Sequence, residues 1–135
     1  MDHSTAYLME FTGDKNTPVK TLQPATISQQ LHPNTGIGEK GMHHKEQLHQ
    51  TAYYKSLIAV IRNFDDVVLF GPTDAKLELL NVLRADNHYN KINIQVRQAD
   101  KMTGNQQLAF VRDYFSLPQP PPVYERKKEN QPINN

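Results

Sequence analysis

Val67-Val68-Leu69-Phe70-Gly71-Pro72-Thr73-Asp74-Ala75-Lys76-Leu77 is the stretch on which the fold turns. Four consecutive apolar residues, three of them β-branched or aromatic, read as a buried strand. Gly71-Pro72 ends it, because Pro72 has no N–H to give a sheet ladder. Thr73 is suited to cap a helix, and Asp74 sits in the first turn, where the helix dipole favours a carboxylate. Leu77, Leu80 and Leu83 then recur at helical spacing, with Leu79 and Val82 widening the stripe. The reading is strand, tight turn, helix: the central unit of an α/β domain.

Upstream, residues 4–11 read as a strand, and Gly13-Asp14-Lys15-Asn16 as a turn. Val19, Leu22 and Ile27 fall in one or two further strands broken near Pro24, so an antiparallel meander opens the domain. Residues 32–41 hold three glycines and a proline and read as a mobile loop. Met42 to Phe64 then carries a helical pattern whose apolar face is Leu57, Val60, Ile61 and Phe64. Downstream, Ile92-Asn93-Ile94-Gln95-Val96 alternates like a half-buried strand or one at the sheet margin. Thr103-Gly104-Asn105-Gln106 fits a capping box for a third helix running through Phe115. Strand–helix alternation of this length implies parallel pairing with right-handed crossovers. The expected class is α/β with a mixed sheet: the antiparallel meander followed by α-β-α-β-α over residues 1–115. Residues 116–135 hold five of the nine prolines and no apolar period, the composition of a disordered tail.

The totals exclude several functions. With no cysteine there is no disulfide, thiolate metal site or cysteine nucleophile. No charged-then-apolar leader opens the chain. The longest aliphatic run, Leu57 to Ile61, is far short of the ~20 residues that cross a bilayer. The chain reads as cytoplasmic, without a membrane partner. Fifteen basic against fourteen acidic residues leave +1, so any nucleic-acid contact must be local rather than carried by bulk charge.

Two constellations stand out. Gly36, Gly38, Lys40, Gly41, His43, His44 and Lys45 combine glycine backbone, positive charge and titratable groups, the equipment of a phosphate contact. The bland alternative is an exposed polar loop, with Glu39 and Glu46 offsetting the lysines. Gly71, Pro72, Thr73 and Lys76 mark either a structural turn or the rim of a ligand crevice beyond the strand's C-terminal end. That turn lacks the Gly-Lys-Ser/Thr ending of a phosphate loop, and Lys76 reads as solvated, its stem against the sheet. His43, His44 and His49 provide no His–His pair at helical metal spacing, and Glu46-x-x-His49 stands alone where a di-iron bundle needs two such motifs. Asp2 and Glu10, roughly 26 Å apart along a strand, are too distant to share a magnesium ion. No cofactor or metal is expected, and no catalytic residue is assigned. Of Tyr53 and Tyr54, one should be core and the other surface. In the tail, Pro118 to Pro122 suits an aromatic groove as polyproline II, and Arg126-Lys127-Lys128 suits an anion.

The start Met1-Asp2-His3-Ser4-Thr5-Ala6-Tyr7 and the turn Leu69-Phe70-Gly71-Pro72-Thr73-Asp74-Ala75-Lys76 carry a resemblance. On these residues the chain resembles the middle domain of the eukaryotic and archaeal peptide-chain release factor and pelota superfamily. It is most similar to the stand-alone bacterial host-attachment-like, translational-machinery form. The likeness spans roughly residues 1–115 and implies a ribonuclease-H-like topology. In true release factors the loop before the long helix carries Gly-Gly-Gln, whose glutamine directs water onto the peptidyl ester. Here Gly36-Ile37-Gly38-Glu39-Lys40-Gly41 has no glutamine beside the glycines, and termination activity does not carry over. The expected function is a non-catalytic module associated with the ribosome or structured RNA. The alternative is a protein-interaction or small-ligand-binding domain with no RNA role, and third comes a hydrolase built on His43 or His44.

Overall fold

The computed structural model describes residues 1–29 and 39–116, with backbone alone over 39–46. The chain opens with strand β1 (Thr5–Phe11), paired antiparallel to β2 (Val19–Ser28). The turn between them is tied by Asp14 N to Thr12 Oγ1 at 3.0 Å and Asn16 N to Asp14 Oδ1 at 3.0 Å. β2 is one strand, where a meander allowed two. Pro24 does not break it; the irregularity is absorbed as a bulge, for Tyr7 faces Thr26 while Met9 faces Thr21. The extra β2 residues, Pro24 among them, stand outside the ladder, where a missing N–H costs nothing.

Helix α1 runs Glu39–Ile61. It starts earlier than the glycine count suggested, so Glu39, Lys40 and Gly41 are helical rather than loop. It also stops before Phe64, whose N–H closes a turn on Ile61 O at 3.0 Å. Strand β3 (Asp66–Gly71) follows, then α2 (Ala75–Arg84), a short 3-10 turn (Asn87–Tyr89), β4 (Asn93–Gln98) and α3 (Gly104–Ser116). β3 and β4 are parallel and in register from Asp66–Asn93 to Gly71–Gln98. The capping box at α3 is complete: Thr103 Oγ1 accepts from Gln106 N at 3.2 Å, and Gln106 Oε1 from Thr103 N at 2.9 Å.

β-strand alternation assigns the two faces of the parallel pair. Leu69 of β3 and Ile94 of β4 point into a core with Leu57, Ile58 and Ile61 of α1 and Leu79 and Leu83 of α2. Leu79 and Leu83 are fully buried. The α2 stripe is rotated from the expected one: Leu77 and Val82 are exposed, and Ala75 and Lys76 are buried in their place. On the opposite face α3 packs, with Phe70 stacked on Phe110 (centroids 4.2 Å) and Arg97 5.5 Å above the Tyr114 ring. Gln95 is therefore buried rather than marginal, its Oε1 accepting from Arg97 Nη1 at 3.3 Å.

The described residues form a mixed α/β body with one antiparallel pair, one parallel pair and three helices. The pairs are not joined: β1 bonds only β2, and β3 only β4. β1 starts beside the C-terminal end of β3, where the Met1 amine donates to Phe70 O at 2.6 Å. It finishes with Phe11 stacked on Phe115 of α3 at 5.7 Å. α1 and α3 close the space between the pairs from either side.

Candidate functional site: a cleft between two strand pairs

That space is a cleft of about 650 Å³. β1 and β3 form its walls, Leu57, Val60 and Ile61 of α1 with Phe64 just beyond the helix one side, and Met102, Val111 and Phe115 the other. Its aromatic edges are Phe11, Phe64, Phe70 and Phe115. A parallel strand turns alternate residues' N–H and C=O to opposite neighbours. Gly71 O accepts from Ala99 N on the β4 side, at 3.2 Å, so Phe70 and Val68 turn their main chain toward the cleft. Phe70 O is taken by Met1; the main chain of Val68 faces the gap with no strand beside it. Side chains there are mostly apolar, and carboxylates gather at the rims: Asp2, Glu10, Asp65, Asp66 and Asp100, against the single lysine Lys101.

Gly71 and Pro72 of the turn form one end of this cleft, and Lys76 overturns its expected role. It is 2% exposed, not solvated. Its Nζ donates to Thr73 O and, at 2.9 Å, to Gln98 Oε1. Gln98 Nε2 in turn donates to Pro72 O at 3.2 Å. The lysine is thus a clasp holding the β3–α2 turn to the end of β4. Thr73 Oγ1 accepts from Ala75 N at 3.3 Å, while the cap position itself passes to Asp74, whose side chain makes no cap bond. Gly71 is required by proximity: a Cβ there would overlap Met1 O and lie 3.0 Å from Met1 N and C. The crevice expected beyond β3 is therefore filled by the first residue of the chain, and open volume lies beside the strand instead.

A second network secures residues 1–4. Asp2 Oδ1 accepts from Ser4 N and Thr5 N, both at 2.8 Å, and Asp2 O accepts from the Tyr53 hydroxyl at 2.9 Å. Glu78 of α2 accepts from the Tyr54 hydroxyl at 2.7 Å and lies 2.9 Å from His3 Nε2. Both tyrosines are buried, correcting the expectation of one in and one out. Each reaches a polar acceptor with its hydroxyl, so two adjacent helical residues are both accommodated inside. Burial raises both phenols above their ordinary pKa, Tyr54 further through its bond to Glu78. His3 and then Tyr54 hold the Glu78 carboxyl below its ordinary value.

Of the nucleic-acid candidates, Gly36 and Gly38 lie outside the described residues. Lys40, Gly41, His43, His44 and Lys45 fall in the first two turns of α1, with their side chains outside the description. Among the described residues no group of three or more His, Asp or Glu gathers as a metal site. No helix among them is long and apolar enough to cross a membrane. The cleft escaped the sequence reading because periodicity marks Leu57, Val60, Val67 and Val111 as inward-facing without telling a filled core from a gap. Searches of protein-family models, curated proteins and solved structures return no match to this chain.

Proposed function

We propose that this chain is a non-catalytic binding module that takes an elongated apolar ligand between β1 and β3. The observation that supports this is the 650 Å³ cleft, within the ordinary size of a small-ligand site, apolar along its length and polar at its rims. The ligand class is uncharged and apolar along its body, because the rim carboxylates oppose an anion. Titration with the neutral dye Nile red tests the reading: saturable binding is expected, lost in Val60→Arg and in Met102→Arg with unchanged circular dichroism. Binding that survives both substitutions overturns it.

A ribosome- or RNA-associated role is the second proposal. It rests on the basic residues Lys40 and Lys45 on the first turns of α1 and on the likeness of residues 1–7 and 69–76 to release-factor middle domains. The ribonuclease-H-like topology belongs to that same kinship. Salt-sensitive ribosome co-sedimentation, weakened by Lys40→Ala/Lys45→Ala, supports it; its absence rejects it.

A further inference from the structure

We propose that the cleft receives an extended peptide segment of a partner protein, apolar along its body and basic at both ends, which adds as a strand between β1 and β3. This rests on the cleft being a binding site and names the class of ligand it takes.

The first support is main-chain geometry. On β3 the alternate residues Asp66, Val68 and Phe70 turn their N–H and C=O away from β4. On β1, Ser4 O and Thr12 N bond toward β2, to Gln29 N and Pro18 O. The bulge adds its extra residues to β2, so alternation along β1 is unbroken, and Thr5, Tyr7, Met9 and Phe11 turn their main chains away from β2. The two sets face the cleft, whose lining runs the whole of both strands. Asp2 takes the main chain of Thr5, and the Met1 amine takes Phe70 O. Those of Tyr7, Met9, Asp66 and Val68 have no partner among the described residues. A ligand without donors and acceptors leaves these groups unpaired. A peptide backbone meets both edges at once and joins the two pairs into one sheet, in the order β2-β1-peptide-β3-β4.

The second is what covers the gap. α1 closes it on one side and α3 on the other, so a strand placed there is buried on both faces. Such a strand is a continuous apolar run rather than an alternating one. The open edge of β1 runs from Tyr7 to Phe11, which fits a run of about five residues, roughly 17 Å long.

The third is charge. Asp2 and Asp100 lie at the C-terminal end of β3, next to Met1 and Ala99, which bond Phe70 O and Gly71 O. Asp65 and Asp66 stand at its N-terminal end, with Glu10 near the finish of β1. Against them are Lys101 at the first end and Lys20, 3.5 Å from Glu10, at the second. The carboxylates of Asp65 and Asp100 have no partner among the described residues. Both ends of the gap are thus acidic on balance, which selects a segment with lysine or arginine before and after its apolar run.

The full chain is titrated with a fluorescein-labelled peptide, a Val-Ile-Val-Ile-Val body with two lysines at each end. Saturable binding is expected. N-methylation of alternate residues in the body leaves its apolar surface and the protein untouched, and should abolish that binding. Peptide at about 100 times its Kd should slow hydrogen exchange of the Tyr7, Met9 and Val68 amides about a hundredfold, while Lys15 in the β1–β2 turn keeps its rate. A glutamate-ended peptide should bind about tenfold more weakly at low salt. Binding that tolerates N-methylation, unslowed exchange at the three amides, or equal affinity for the glutamate-ended peptide overturns the proposal. So does slowing produced by raising the protein concentration alone, which would put a second copy in the gap. Saturable Nile red binding without peptide binding leaves the binding module standing and removes the strand partner alone; loss of dye and peptide binding together removes both.

Discussion

Lys76 Nζ and Gln98 Oε1 are 2.9 Å apart, joining the buried lysine in the first turn of α2 to the exposed last residue of β4. Through Gln98 the clasp extends to Pro72 O, so one amide side chain holds both the lysine and the turn that presents it. Breaking a hydrogen bond on the side of the buried lysine typically costs about 1–3 kcal/mol. Lys76→Met should lower the urea unfolding free energy by that amount. Gln98→Leu should do likewise, and the double variant should lose less than the sum, since both break one network. Additive losses would show that the two residues act separately.

Gly71→Ala forces a methyl group into the Met1 main chain. Overpacking of this kind costs about 1–3 kcal/mol. Residues 1–4 should peel away first, because their bonds to Phe70, Tyr53 and Glu78 depend on that approach. Hydrogen exchange at Thr5, whose N–H is held by Asp2 Oδ1, should accelerate well beyond exchange in α2. Equal protection in both places would contradict this ordering.

Glu78 has its pKa depressed in the folded state, so its contribution is complete above the ordinary carboxyl pKa and disappears as pH falls through the lowered one. Glu78→Gln should therefore flatten the loss of stability below about pH 4.5 while lowering the plateau at neutral pH. The sign would be reversed if the carboxyl were held protonated.

The alkaline limb has the opposite origin. Tyr53 and Tyr54 are raised above their ordinary pKa, so the unfolded chain releases its phenolic protons first and stability falls as pH climbs past about 10. Tyr53→Phe and Tyr54→Phe should each reduce that slope. Each should also cost about 1 kcal/mol at neutral pH, from the lost hydroxyl bonds to Asp2 O and Glu78. Thermal unfolding followed from pH 7 to 11 measures both effects.

Leu83 is fully buried between the helices and the parallel pair, away from the cleft lining. Leu83→Ala should lower stability by about 2–5 kcal/mol without changing Nile red affinity by more than the fraction unfolded. Selective loss of dye binding at full stability would show that the cleft and the core are one space.

Residues 66–116 were the legible half. A run of β-branched residues, a Gly-Pro stop and a capping box are local signals, and β3, α2, β4 and α3 follow them closely. Lys76 and the α2 stripe were misread because leucine spacing fits more than one helix face. The choice was made by Gln98, a partner 22 residues away, that no local rule reveals. Pro24 was misread for a similar reason: a bulge is defined by the opposite strand, not by its own residues. The gap between the strand pairs was not legible at all, since an unmade pairing has no residue of its own to announce it.

An uncovered backbone edge is ordinarily an invitation to neighbouring chains, the first step toward intermolecular β-stacking. Here the exposed side of β3 faces inward across the gap, with the β1–β2 hairpin standing in front of it as a screen. Any substitution that swings the hairpin aside would expose this edge of β3 to further copies. The first 28 residues, which form and anchor the hairpin, thus shield that edge of β3 from intermolecular pairing between copies.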